Sequence, residues 1–122
     1  MTGKTPEPDL AYLQKVLLEM LAIPSPTGFT DTIVRSVAER LEELGIPFEL
    51  TRRGTIRATL KGQKNSPDRA VSAHLDTIGA SVRAIKDNGR LTLAPVGCWS
   101  SRFAEGSRVS LFTDTGVIRG SV

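Results

Sequence analysis

Apolar residues at helical spacing occupy the first part of the chain. They recur at intervals of three and four from residue 10 to residue 21, and Asp9 is a candidate N-cap. The apolar stripe consists of Leu10, Leu13, Leu17, Met20 and Leu21. Because such a stripe is typical of a helix face turned to a core, we predict a helix over residues 9–21 with this stripe buried. Pro24 and Pro26 end the helix, and Thr27 and Gly28 follow as a turn.

The same spacing returns after this link and predicts a second helix. It begins near Thr30 or Asp31 and continues to Leu44, and Gly45 suits the left-handed position that follows a helix. Its apolar face consists of Ile33, Val34, Val37, Ala38, Leu41 and Leu44. Both predicted helices therefore precede Ile46.

The pattern changes to strands after Pro47. Three pairs of strands, each flanking turn residues, predict three hairpins. The paired strands are residues 48–52 with 55–60, 81–85 with 90–93, and 109–112 with 117–119. Residues 69–74 are rich in small and apolar side chains and predict a further strand, buried on both faces as in the interior of a sheet. The fold class is therefore α/β, with an α-rich part that ends near Asp76 and a β-only part that follows it.

Composition and charge narrow the range of possible functions and partners. The 122 residues are 39% hydrophobic and 24% charged, as in an ordinary globular protein, and residues 1–8 predict a flexible leader. The net charge of +3 is spread along the chain, which favours a solvated surface over a nucleic-acid site. No apolar run is long enough to span a membrane, and no signal peptide is visible. We therefore predict a cytoplasmic protein without nucleic-acid or membrane partners.

The candidate chemistry lies at His74, the only histidine, and at Asp76 two residues later. On a strand these side chains point to the same side, so they would project together from the end of a sheet. A carboxylate beside an imidazole fixes the tautomer of a metal-binding histidine, which favours a metal ligand with an orienting carboxylate. The alternative is a surface histidine bonded to a neighbour. A catalytic zinc needs about three protein ligands, and only Asp and Glu remain as partners, without forming a second cluster.

Two other segments suggest chemistry but favour simpler interpretations. The tripeptide Asp114-Thr115-Gly116 is that of aspartic proteases, yet its flanks predict a hairpin turn. Cys98 is the only cysteine, so there is no internal disulfide, and a buried inert thiol is expected. No second histidine is present to activate a nucleophile near Cys98.

An ordered set of segments resembles the N-terminal part of the deblocking, or glutamyl, aminopeptidases, which are dinuclear zinc peptidases with tetrahedral assemblies. The segments are residues 23–29, the second helix, the Arg53-Gly54 hairpin, and residues 73–79, 85–91, 95–97, 106–109 and 116–120. The resemblance implies the start of a phosphorylase/hydrolase-like α/β/α zinc-peptidase domain over residues 9–77. It also implies an incomplete inserted β-barrel domain, used for oligomerisation, over residues 78–122. Thr77 stands where many members carry an acidic residue, and the stretch from Cys98 to Ser101 is similar to a branch associated with synthesis of a dipeptide osmoprotectant.

The resemblance also implies a function. The family hydrolyses N-terminal residues from peptides with two zinc or cobalt ions, so His74 is expected as a metal ligand and Asp76 as its catalytic, supporting carboxylate. The other ligands and the general base are expected beyond Val122, so this chain alone is expected to be inactive. A homo-oligomer through the β segment is the expected assembly. The alternatives are a non-catalytic remnant that acts as an oligomerisation or binding module, and a small basic binding domain.

Overall fold

The computed structural model describes residues 7–64, 66–67 and 69–122. Most of the predicted leader, residues 1–8, lies outside the described residues, and Glu7 and Pro8 are exposed. The chain separates into two compact units, residues 1–77 and residues 78–122. The first unit contains the helices α1 and α2 and the strands β1 and β2, and the second contains the strands β3 to β6. The described residues therefore form a small mixed α/β structure with short sheets.

Helix α1 is Leu10–Leu21 and begins where capping predicts. Oδ1 of Asp9 accepts a hydrogen bond from the backbone N–H of Tyr12, at 3.0 Å. The predicted burial of its apolar stripe is wrong, because the four leucines of the stripe are each at least 50% exposed. Helical spacing makes a face suitable for burial, but burial also needs an opposing surface, and the described residues of the first unit do not cover these leucines.

Helix α2 is Asp31–Glu43, and Leu44 is its C-cap, so the helix ends one residue before the predicted end. Gly45 adopts φ +66°, the left-handed conformation that a C′ glycine permits at low cost. Ile33 is 1% exposed and is the buried apolar residue of the described chain. Glu19 of α1 and Arg40 of α2 form an ion pair at 2.6 Å, which ties the two helices at their surface.

Strands β1, Phe48–Leu50, and β2, Ile56–Ala58, form the first antiparallel hairpin. Both are shorter than predicted, and Gly54 occupies the turn with φ +80°. The predicted interior strand over residues 69–74 is wrong. Within the described residues that segment pairs with no strand, and Val71 is 99% exposed. Small and apolar side chains favour an interior strand only where neighbouring strands accept its backbone hydrogen bonds.

The second unit is built from two antiparallel hairpins. The first pairs β3, Gly79–Ile85, with β4, Leu91–Val96, and the second pairs β5, Arg108–Thr113, with β6, Gly116–Ser121. A 3₁₀ helix, Ser101–Ala104, lies between the two hairpins in the chain. Both hairpins were predicted, and each forms a separate two-stranded sheet among the described residues.

The indole of Trp99 closes the open end of the first of these hairpins. Its Nε1–H donates to the carbonyl oxygens of Gly79, at 3.1 Å, and Val96, at 3.0 Å, which are paired residues of β3 and β4. The neighbouring Cys98 is exposed, so the predicted buried thiol is wrong. Trp99 is half-buried and bonded to the hairpin, whereas the adjacent Cys98 side chain is exposed.

The aspartic-protease tripeptide is a turn, as the simpler interpretation predicts. Thr113 pairs with Gly116, so Asp114 and Thr115 form a two-residue hairpin loop, and Oγ1 of Thr113 donates to the carbonyl of Gly116 at 2.8 Å. Across the part of the chain that the structure describes, no helix has the length and apolar character to cross a membrane.

Candidate functional site

His74 and Asp76 meet as predicted, although no sheet presents them. Nδ1 of His74 lies 2.9 Å from the backbone oxygen of Asp76 and 3.2 Å from its Oδ1. A carbonyl and a carboxylate can only accept, so Nδ1 is the donor in both contacts, and in a neutral ring Nε2 is then the nitrogen with the free lone pair. The His74 side chain is 84% exposed. These contacts favour the Nδ1–H tautomer of a neutral imidazole, in which Nε2 is the nitrogen that can accept.

The other oxygen of the Asp76 carboxylate is hydrogen-bonded to Thr27. Oγ1 of Thr27 donates to Oδ2 of Asp76 at 2.7 Å. This hydrogen bond is the largest cause that lowers the pKa of Asp76 below its ordinary value. Partial burial raises the pKa, and hydrogen bonds from the Asp76 backbone and from His74 lower it further. Asp76 is therefore a charged acceptor for His74 at neutral pH.

Backbone hydrogen bonds hold this segment to the loop that follows α1. The N–H of Thr77 donates to the carbonyl of Ser25 at 2.8 Å, and the N–H of Thr27 donates to the carbonyl of Thr77 at 3.2 Å, which forms the parallel bridge between Pro26 and Thr77. The buried Ser25 adds a side-chain bond from Oγ to the carbonyl of Leu75, at 2.9 Å. We call these three bonds the clasp. The clasp replaces the predicted sheet as the support of the site.

The loop itself is shaped by its prolines and by one glycine. The N–H of Phe29 donates to the carbonyl of Pro26 at 2.7 Å, and Gly28 has φ +90°, which together form the predicted turn. Thr27 sits at the turn and points its hydroxyl at Asp76. Sequence reasoning found this turn but missed the role of Thr27 and of Ser25, because their partners lie about fifty residues away in the chain.

The imidazole of His74 fits one position in a metal site. Its exposed side chain and its carboxylate-bound Nδ1 match the usual arrangement of a metal-ligating histidine. Among residues 7–64, 66–67 and 69–122, no group of three or more His, Cys, Asp or Glu residues could hold a metal ion. The described residues thus provide a partial donor set, and a catalytic metal needs further ligands.

An imidazole whose Nδ1 faces a carboxylate is the arrangement that metal-ligating histidines usually show. Residues 54–122 match the family model of the M42 glutamyl aminopeptidases, over more than half of the chain. The chain belongs to this peptidase family, and the predicted resemblance is confirmed.

Two curated relatives carry aminopeptidase names. The chain is 33% identical over 102 residues to the putative aminopeptidase YhfE of Bacillus subtilis (strain 168), which covers 84% of this chain. It is 34% identical over 95 residues to the glutamyl aminopeptidase of Lactococcus lactis subsp. cremoris (strain MG1363), which covers 77% of this chain. The matched regions make up 30% and 27% of those two proteins.

We expect Thr27→Val to raise the pKa of Asp76 towards its ordinary value, 3.8, because the substitution removes the largest cause of the lowered value. A carboxyl with a lowered pKa stabilises the fold above its ordinary pKa, and this contribution is lost as the pH falls through the folded value. In Thr27→Val this contribution is therefore smaller, and its loss is complete at higher pH than in the unmodified chain. An NMR titration of the Asp76 carboxyl carbon measures the pKa, and Thr77→Val is the control. An unchanged pKa in Thr27→Val contradicts the assignment.

Proposed function

We propose that this chain contributes a metal ligand, His74, and its orienting carboxylate, Asp76, to a metal-dependent aminopeptidase that removes N-terminal residues from peptides. The observation that carries the proposal is the hydrogen bond from Nδ1 of His74 to Asp76 in a chain of the M42 family. The aminopeptidase names of both relatives support the reaction and a peptide substrate.

The two residues have distinct roles in this proposal. Nε2 of His74 binds the metal, and Asp76 keeps the proton on Nδ1 and raises the basicity of the ring. When bound, the metal supplies an activated water and polarises the scissile carbonyl. Since no group of three or more donors is present among the described residues, the proposed site needs at least one donor from outside them. The identity of the metal, zinc or cobalt, and the cytoplasmic location stay predictions from the resemblance.

The domain assignment belongs to the same proposal. We assign residues 9–77 to an α/β/α zinc-peptidase domain and residues 78–122 to an inserted β-barrel domain that mediates a homo-oligomer. The order of the elements supports this assignment, with both α-helices before His74 and two hairpins separated by a short 3₁₀ helix after it. Exposed apolar side chains on the hairpins, among them Ile85, Val117 and Ile118, suit contacts with a further surface.

The same exposed hairpins favour a second candidate, a non-catalytic oligomerisation module. Size-exclusion chromatography of the pure chain tests this candidate. A single defined oligomer without metal-dependent peptidase activity supports it, and a monomer or a mixture of sizes contradicts it.

A zinc titration of the chain tests the metal ligand. We expect weak binding that involves His74, because one imidazole provides only part of a metal site. Competition with a zinc-binding dye measures the affinity. His74→Ala should remove the binding, and Asp114→Ala, which changes an exposed carboxylate in a hairpin turn, should retain it. Tight one-to-one binding in the unmodified chain would mean that a complete site exists here, and binding that survives in His74→Ala would exclude His74 as the ligand.

A further inference from the structure

We propose that Thr27 is a positioning residue for the metal-binding imidazole, because its hydroxyl holds the Asp76 carboxylate in the orientation that faces Nδ1 of His74. The inference rests on the proposed role of His74 as a metal ligand. It adds a third residue to the pair, one contributed by the loop after α1 rather than by the segment that carries His74 and Asp76.

The geometry assigns one carboxylate oxygen to each neighbour. Oδ2 of Asp76 accepts from Thr27 at 2.7 Å, while Oδ1 lies 3.2 Å from Nδ1 of His74. The terminal torsion of an aspartate is broad and roughly two-fold, so a single contact to His74 leaves the carboxylate plane poorly determined. The Asp76 side chain is also 39% exposed, and surrounding packing restricts it only in part. The second contact, to Thr27, sets the plane of the carboxylate.

The Thr27 hydroxyl takes no part in the clasp that supports the backbone. Two of the clasp bonds join backbone atoms of Ser25, Thr27 and Thr77, and the third starts from Oγ of Ser25. The turn that contains Thr27 is closed by a backbone bond between Phe29 and Pro26. Thr27→Val therefore keeps every one of these bonds and a side chain of similar shape. It changes the hydroxyl alone, which separates positioning from structural support.

The orientation of Asp76 matters because Nδ1–H of His74 has two acceptors. The carbonyl oxygen of Asp76, at 2.9 Å, is neutral, and Oδ1, at 3.2 Å, carries charge. Hydrogen bonds to ionised acceptors are roughly twice as strong as those between neutral groups. Without Thr27 the carboxylate spends less time at Nδ1, the Nδ1–H tautomer loses part of its advantage, and less of the imidazole offers Nε2 to the metal.

His74 is the only histidine, so the tautomer can be read directly from its single pair of imidazole nitrogen resonances. The measurement uses ¹⁵N NMR of the whole chain at a pH where the ring is neutral. We expect the Nδ1–H tautomer to dominate in the unmodified chain and to lose population in Thr27→Val. Thr27→Ser, which keeps the hydroxyl, should restore it. Thr77→Val, a hydroxyl removed from the neighbouring residue, should leave it unchanged.

A double substitution decides whether Thr27 acts through Asp76. In an Asp76→Asn background, Thr27→Val should produce no further change in the tautomer, because residues that act as a unit are not additive. An unchanged tautomer in Thr27→Val, or a full additional shift in the Asp76→Asn background, overturns the proposal. If Thr27→Val does not fold, Thr27→Ala, which also keeps the clasp, replaces it under the same criteria.

Zinc affinity gives a second readout and keeps this inference separate from the proposed function. We expect Thr27→Val to weaken zinc binding by about tenfold, the lower end of the range for residues that support a metal ligand. If Thr27→Val changes the tautomer but His74→Ala leaves zinc binding unchanged, Thr27 positions the imidazole and the metal role of His74 is refuted. If zinc binding needs His74 but Thr27→Val changes neither the tautomer nor the zinc affinity, the positioning role of Thr27 is refuted and the metal role of His74 stands.

Discussion

Replacing the matched 95 residues of the Lactococcus lactis glutamyl aminopeptidase with those of this chain is expected to give an active enzyme that loses its activity when His74 is changed to Ala. The graft places His74 and Asp76 among the remaining residues of a protein named for the proposed reaction. His74→Ala removes a metal ligand, so release of an N-terminal glutamyl residue should fall to the background of the assay. Asp76→Asn keeps the ligand but loses its charged partner, and we expect a decrease of about 10–100-fold.

Two controls make the graft informative. Ser72→Ala changes an exposed side chain two residues before His74 and should leave the activity as it is in the graft. The graft and each variant should share the hydrodynamic size of the parent enzyme, which excludes a folding defect. An active graft that retains its activity in His74→Ala would show that this histidine is not a catalytic metal ligand.

Ile33→Ala is expected to lower the free energy of unfolding of the first unit by about 2–3 kcal/mol, the lower part of the range for such truncations. Ile33 is 1% exposed, whereas most apolar residues around the helices are partly or largely exposed, so few other buried contacts compensate for its loss. Alanine has the higher helix propensity, which by itself would favour α2. A net loss of stability therefore reports burial and not helix formation.

Urea unfolding followed by circular dichroism at 222 nm measures this effect, since both α-helices lie in the first unit. Thr32→Ala, at the exposed neighbouring position of the same helix, is the matched control and should change the midpoint little. Equal midpoints for Ile33→Ala and Thr32→Ala would contradict the assignment of Ile33 as the core of this unit.

Local patterns predicted the elements well. The capping residue Asp9, the left-handed Gly45 and the turn at Asp87-Asn88-Gly89 all act within a few residues of the chain, so helices and hairpins follow from sequence alone. Predictions of burial were less successful. The four leucines of the α1 stripe, the segment at residues 69–74 and Cys98 were all expected to be buried, and all are exposed. Burial depends on surfaces supplied from elsewhere in the fold, which periodicity does not encode.

In the candidate site too, local contacts could be predicted from the sequence and contacts between remote residues could not. The contact between His74 and Asp76 could be predicted, because side chains two residues apart in extended backbone lie on one side. The contacts of Thr27 and Ser25 could not, since Thr27 meets Asp76 and Ser25 meets Leu75 across about fifty intervening residues. Their only local signal was the turn at Thr27-Gly28, which predicts a change of chain direction without naming its partner.

The amino-acid sequence by itself determined the helices, the hairpins, the paired histidine and aspartate, and the membership of the family, because each depends on short-range spacing or on an ordered set of motifs. Only the tertiary structure decided how the pair is supported. The clasp brings Ser25 and Thr27 to the segment of His74 and Asp76, where an unpaired backbone and a charged carboxylate need hydrogen-bond partners. Those partners are remote in the chain, and folding alone brings them within bonding distance.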